Sequence, residues 1–136
     1  MALVVPDTLE VETLTNILTS ALTLRLYSNN VTPSGSSTVG GFTEVTGGGY
    51  AAKPLTFANW SITAGDPSTG IYNTNQELDF TGPTSGPGTI YGYYVTRNSD
   101  NKLMWAERFP AANVPFNSIA GSIIRVLPKI TVQSAN

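Results

Sequence analysis

Thr89–Thr96 (TIYGYYVT) and Lys102–Phe109 (KLMWAERF) flank the polar run Arg97–Asn101 (RNSDN), and this stretch decides the fold class. Both arms alternate and are rich in aromatic residues, while Asn, Ser and Asp favour turns, so the stretch predicts a β-hairpin. Its second arm contains an anomaly. Leu103, Trp105, Glu107 and Phe109 fall on one face by period two, which points Glu107 toward core or interface. A buried carboxylate needs an Arg partner or hydrogen bonds, and Arg25 and Arg125 are the candidates. Arg125 shares the anomaly, because Ile123 and Leu127 lie on its face. A structural ion pair in or beside an interface is expected there rather than catalysis.

Outward from the hairpin, period two recurs. Leu22, Leu24 and Leu26 alternate with Thr23, Arg25 and Tyr27, which reads as a half-buried strand. Further strands are expected at Phe42–Thr46, Leu55–Thr63, Gln76–Thr81, Ser122–Leu127 and Lys129–Val132, with Pro128 at an edge. Residues 28–41 (SNNVTPSGSSTVGG) are a long polar loop, expected to be mobile or partner-facing, and GPTSGPG at 82–88 is a breaker. Only the start reads as helix, over 6–21. There Asp7 is the expected N-cap, with Glu10 completing a capping box, and Leu9, Leu14, Ile17, Leu18 and Ala21 lie near one face. These readings predict an all-β chain, a jelly roll or related β-sandwich of about eight strands with one short N-terminal helix. Residues 1–21 form the arm and short helix, which either closes one end of the barrel or packs on a partner, and 22–136 the single sandwich domain. The expected core is Leu24, Leu26, Phe57, Trp60, Leu78, Phe80, Tyr93, Val95, Trp105, Phe109, Ile124 and Val126.

Composition narrows the function. Leu, Ile, Val and Phe make up about a quarter of the 136 residues, enough for one core. Charged residues are only 12%, so hydroxyls and amides must build much of the surface. The chain has no His and no Cys, which excludes a Ser-His-Asp triad, imidazole or thiolate metal ligands, a thiol nucleophile and disulfides. Net charge is −2 and the seven cations are scattered, so no nucleic-acid partner is expected. No apolar run is long enough to span a membrane, and the start lacks the features of a secretory signal.

Few residue patterns suggest chemistry. Glu77 and Asp79 lie two apart on one strand, and a glycosidase needs two such carboxylates about 5–10 Å apart. They alternate with Leu78 and Phe80, so both are expected to be solvated. Gly47-Gly48-Gly49 is not followed by the Lys-Ser/Thr or helix of a phosphate loop. Asn30-Val31-Thr32 and Asn59-Trp60-Ser61 fit the glycosylation sequon and read as chance matches. Tyr91, Tyr93, Tyr94 and Trp105 are of a type that stacks sugars or bases, but core filling is the expected role. No catalytic residue, cofactor or metal is expected.

GGGYAAKPLTFANWSIT (47–63), ELDFTGP (77–83), IYGYYVT (90–96), KLMWAERF (102–109) and PKITV (128–132) together resemble a group of small tailed-bacteriophage virion proteins, the capsid cement or decoration proteins. The resemblance covers roughly 22–133 and rests on the ensemble, with no single diagnostic motif. It implies a jelly-roll or related sandwich that assembles as a homodimer or homotrimer on the capsid surface. The implied partner is the major capsid protein, and the implied place of synthesis the host cytoplasm. A tail, fibre, receptor-binding or glycan-binding β-module is the alternative.

Such a role requires contact surfaces. Leu3, Val4, Val5 and Leu9 are apolar without being needed for the sandwich, and loop 28–41 is long without an intrinsic reason. Both are expected contact regions, together with Glu107 and Arg125. Low charge favours contacts through hydroxyls, backbone and apolar groups, so assembly should depend little on ionic strength.

Overall fold

The computed structural model describes residues 4–80 and 88–133. The described residues are mostly β, with one α-helix among them, α1 (Asp7–Thr19). Its strands are β1 (Leu22–Tyr27), β2 (Lys53–Leu55), β3 (Trp60–Thr63), β4 (Ser68–Tyr72), β5 (Gln76–Asp79), β6 (Gly88–Ile90), β7 (Gly92–Arg97), β8 (Lys102–Arg108), β9 (Phe116–Ser118), β10 (Ile123–Val126) and β11 (Lys129–Val132). They pair antiparallel in four ladders, ordered β2-β1-β7-β8, β11-β4-β3, β10-β5 and β6-β9.

Eleven strands replace the expected eight or so, for local reasons. Leu55–Thr63 is not continuous, because a 3-10 turn at Phe57–Asn59 separates β2 from β3. That turn lifts Phe57 out of the expected core, leaving it 40% exposed. The first hairpin arm divides at Tyr91. There the Tyr91 N–H still bonds the Tyr27 carbonyl, at 3.0 Å, while β6 before it turns aside to pair β9. Two strands carry no run of large apolar residues and escape the sequence reading. These are β4 (STGIY) and β9 (FNS). The expected strand at Phe42–Thr46 is only a single bridge, Tyr27 to Glu44. Ser122–Leu127 and Lys129–Val132 do form strands, cut by buried Pro128, and they pair β5 and β4 rather than each other. Thr81 and the 82–87 part of the breaker lie outside the described residues.

Helix α1 packs on β3, β4 and β11, in keeping with the reading of a helix that closes one end of the barrel. Glu10, Leu14 and Leu18, spaced by four, form its buried face, whereas Leu9 is half exposed. Gly70 on β4 admits this face, since a Cβ there would lie 2.9 Å from Leu18 Cδ1. Asp7 is not the N-cap. Pro6 holds that position without a side-chain cap, and Glu10 instead accepts a hydrogen bond from the Ser68 N–H at 3.2 Å. The weak helix formers Thr13 and Thr15 donate their hydroxyls to the Leu9 and Val11 carbonyls, each at 2.8 Å, which satisfies them within the helix.

The main core draws on every ladder and on the helix: Leu18, Leu22, Leu24, Leu26, Trp60, Leu78, Phe80, Ile90, Tyr93, Val95, Ile124 and Val126 are all buried in it. Nine of the twelve expected core residues are buried here; Trp105 and Phe109 are half-buried at its margin and Phe57 is exposed. A second cluster of Tyr27, Phe42 and Tyr94 lies on the opposite face of β1 and β7, with Phe42 and Tyr94 stacked at 5.0 Å. That second cluster explains why β1 and β7 are buried on both faces.

Candidate functional site

The hairpin arm β8 keeps its alternation from Trp105 onward but not before it. Register against β7 slips between Val95 and Thr96, so Trp105 pairs Val95 while Leu103 pairs Thr96. A bulge of this kind moves Leu103 to the second cluster and leaves Trp105 at the main core. Glu107 lies opposite Tyr93, exposed, and accepts the Tyr93 hydroxyl hydrogen bond at 2.8 Å. Burial and this carboxylate together push the Tyr93 hydroxyl well above the ordinary tyrosine range. Neither proposed arginine partners Glu107. Arg25 grips both oxygens of Glu44 at 3.0 Å, and Arg125 bonds Glu77 at 2.7 Å.

The Arg25–Glu44 pair is the centre of a local brace. Tyr50 donates its hydroxyl to Glu44 Oε1 at 3.1 Å and accepts the Leu26 N–H at 3.0 Å. Arg25 Nε also donates to Thr96 Oγ1, at 3.2 Å. Three successive left-handed glycines, Gly47 to Gly49, let the chain turn back so that Tyr50 reaches β1. No helix begins there, so these glycines shape a turn and not a phosphate site.

Loop 28–41 is pinned at both ends rather than free. Asn29 bonds the Gly41 carbonyl at 2.9 Å and the Thr43 N–H at 2.8 Å. Arg108 reaches across from β8 to the Val31 carbonyl at 3.0 Å and Asn30 Oδ1 at 2.8 Å, while its guanidinium lies over Tyr91. Asn30 is thereby engaged, and Asn59, in the other sequon, donates to the Tyr72 hydroxyl at 3.1 Å. These partners lie far apart in the sequence and are invisible to spacing rules.

Glu77 and Asp79 project outward beside Arg125 and Ile123 of β10. They do not line the groove between β9 and β10. Of the remaining interface candidates, Val4 is 79% exposed, Leu9 is exposed, Val5 is half-buried, and Leu3 lies outside the described residues. Tyr94 and Tyr93 are buried and Tyr91 is half-buried beneath Arg108, so they form no open stacking platform.

An open groove of about 620 Å³ lies between β9 and β10. Phe109, Val114, Phe116 and Ile124 give it an apolar floor, and Asn117, Ile123 and Arg125 its rim. Its only charged lining residue is Arg125, already paired to Glu77. No group of acidic side chains suited to a metal ion occurs among the described residues. The groove offers shape and apolar surface rather than a proton donor, a base or a nucleophile. Comparison with protein-family models, with curated proteins and with solved structures finds no match to this chain.

Proposed function

We propose that this chain is a structural virion protein that binds the outside of a phage capsid and stabilises it by bridging neighbouring capsid subunits. The resemblance of its strand segments to cement and decoration proteins suggests the setting. The observation that carries the reading is the outer face of the ribbon formed by β4–β5 and β10–β11. Ile71, Ile123 and Leu127 are all exposed on that face, interleaved with Lys129 and the Arg125–Glu77 pair. Apolar groups gathered on one sheet face are the usual mark of a contact surface. We read the ladder β2-β1-β7-β8 and the ribbon opposite it as the two layers of a jelly-roll-related sandwich, with the main core between them. Both are consistent with a small building block that works through its surface.

The test is retention on capsids. Deleting residues 1–6, or replacing Leu127 and Ile71 by Asp, should release the protein from purified capsids while the wild type stays bound. Binding should persist between about 0.05 and 0.5 M salt, although the Debye length falls from roughly 14 to 4 Å. Absence of the chain from purified virions, or collapse of binding across that salt range, would overturn the proposal.

A further inference from the structure

β9 and β10 are joined by a tight turn, Ile119–Ser122, in which the Ser122 N–H bonds the Ile119 carbonyl at 3.0 Å. Strands joined so closely ordinarily pair with each other. Here they splay: β9 pairs β6, and β10 pairs β5. The Gly121 N–H holds the turn against the Phe80 carbonyl at 2.7 Å, which commits β10 to β5 and opens the groove behind it.

One edge of β10 is therefore unoccupied among the described residues. The Phe80 N–H donates to the Ser122 carbonyl, so along the β5–β10 register Ile124 and Val126 turn their backbone groups toward β5. Ile123 and Arg125 turn theirs into the groove, where no hydrogen bond among the described residues satisfies them. An unpaired edge beside an apolar trough is the template that accepts an added strand.

We infer that this groove receives residues 2–5 of a second copy of the chain, which add a strand to the free edge of β10. The segment Ala2-Leu3-Val4-Val5 is uncharged, apolar and partly β-branched, and Pro6 ends it before α1. Four residues span about 13 Å as a strand, matching the four of β10. Alternate side chains would enter the floor formed by Phe109, Val114 and Phe116. Val4 is 79% exposed and does not line the groove of its own chain. Two copies can exchange segments reciprocally into a closed dimer, or pass them head-to-tail into rings or chains. The inference rests on the reading of the chain as a surface-contact protein. Its test uses purified protein without capsids, so failure here leaves capsid retention to be judged separately.

Light scattering on the full chain at roughly 100 µM, far above a micromolar Kd, should show species larger than the 14.4 kDa monomer. Val4→Asp removes the donor. Ile123→Pro removes an N–H that faces away from β5, at the first position of the strand, where proline is tolerated. Each variant alone should be monomeric, with circular dichroism unchanged. Mixed, they should form a dimer and stop there, since one retains the groove and the other the segment. Cysteine substitution gives an independent readout, because the chain has no native Cys. Differently tagged Val4→Cys and Asn117→Cys chains should cross-link to each other, whereas Val4→Cys with Ser61→Cys should not. A monomeric wild type, a mixture that fails to dimerise, or cross-linking no better than the Ser61 control would overturn the inference. So would a doubly substituted Val4→Cys, Asn117→Cys chain that closes its disulfide within itself.

Discussion

Gly92→Ala tests the packing of the central sheet most sharply. A Cβ at this position would lie 2.2 Å from the Glu107 carbonyl oxygen, 2.6 Å from the Tyr27 hydroxyl and 2.7 Å from Tyr27 Cε1. The first neighbour is backbone in the β7–β8 ladder, so relief requires parting two strands. The second belongs to a fully buried ring within the Tyr27–Phe42–Tyr94 cluster. Overpacking costs typically 1–3 kcal/mol, and a clash against backbone belongs at about 3 kcal/mol or above. For a domain of this length, the average unfolding entropy converts that to a loss of roughly 10 °C in Tm. Two other glycines calibrate the argument. Gly70→Ala meets Leu18 Cδ1 at 2.9 Å, the movable end of a side chain, and should cost about 1 kcal/mol. Gly41→Ala meets nothing within 4 Å and should fall within about 0.5 kcal/mol of wild type. The assay is urea unfolding followed by tryptophan fluorescence, with m-values compared to check that the denatured state is unchanged. If Gly92→Ala proves no worse than Gly70→Ala, the close approach of β8 and Tyr27 to Gly92 is wrong.

Three further outcomes follow from the same contacts. Glu10→Ala should destabilise by about 2 kcal/mol, because it leaves the buried Ser68 N–H without its carboxylate acceptor; equilibrium unfolding measures it. A double-mutant cycle on Arg25 and Glu44 should return a coupling near 1 kcal/mol, since Arg25 Nη1 meets both carboxylate oxygens but the pair is only partly buried. Alkaline titration should unfold the protein cooperatively. Burial raises Tyr27, Tyr50, Tyr93 and Tyr94 above the ordinary value of 10.0, Tyr94 to about 12. The unfolded chain then loses these protons first, so stability is intact below pH 10 and falls from there toward pH 12. Tyrosinate absorbance that rises gradually from pH 10 without loss of the circular dichroism signal would contradict this.

The parts of the fold legible in the sequence are those where one strong local pattern acts alone. Leu22–Tyr27 shows its alternation because Leu22, Leu24 and Leu26 share one buried face. The 97–101 turn is legible for a similar reason: Arg97 and Asp100 close it between themselves, with bonds of 2.9 and 2.6 Å. Strands β4 and β9 were not legible, because Ser68 and Gly70 are buried by neighbours and carry little apolar signal of their own. Glu107 does share its face with Trp105 and Phe109, but it sits at the exposed margin of the core, where the Tyr93 hydroxyl rather than an arginine meets it.

From the sequence alone come the β-rich class, most of the core, the single helix and the absence of His and Cys chemistry. Each depends only on residue identity or on periodicity between near neighbours, which the chain carries wherever it folds. Tertiary structure decided the pairing of Arg25 with Glu44 and Arg125 with Glu77, the pinning of loop 28–41 by Arg108, and the splaying of β9 from β10. These depend on which distant segments meet, and one Arg can reach several carboxylates of equal local promise. Burial of the shared core selects among them, because it fixes the strand register that brings each pair together.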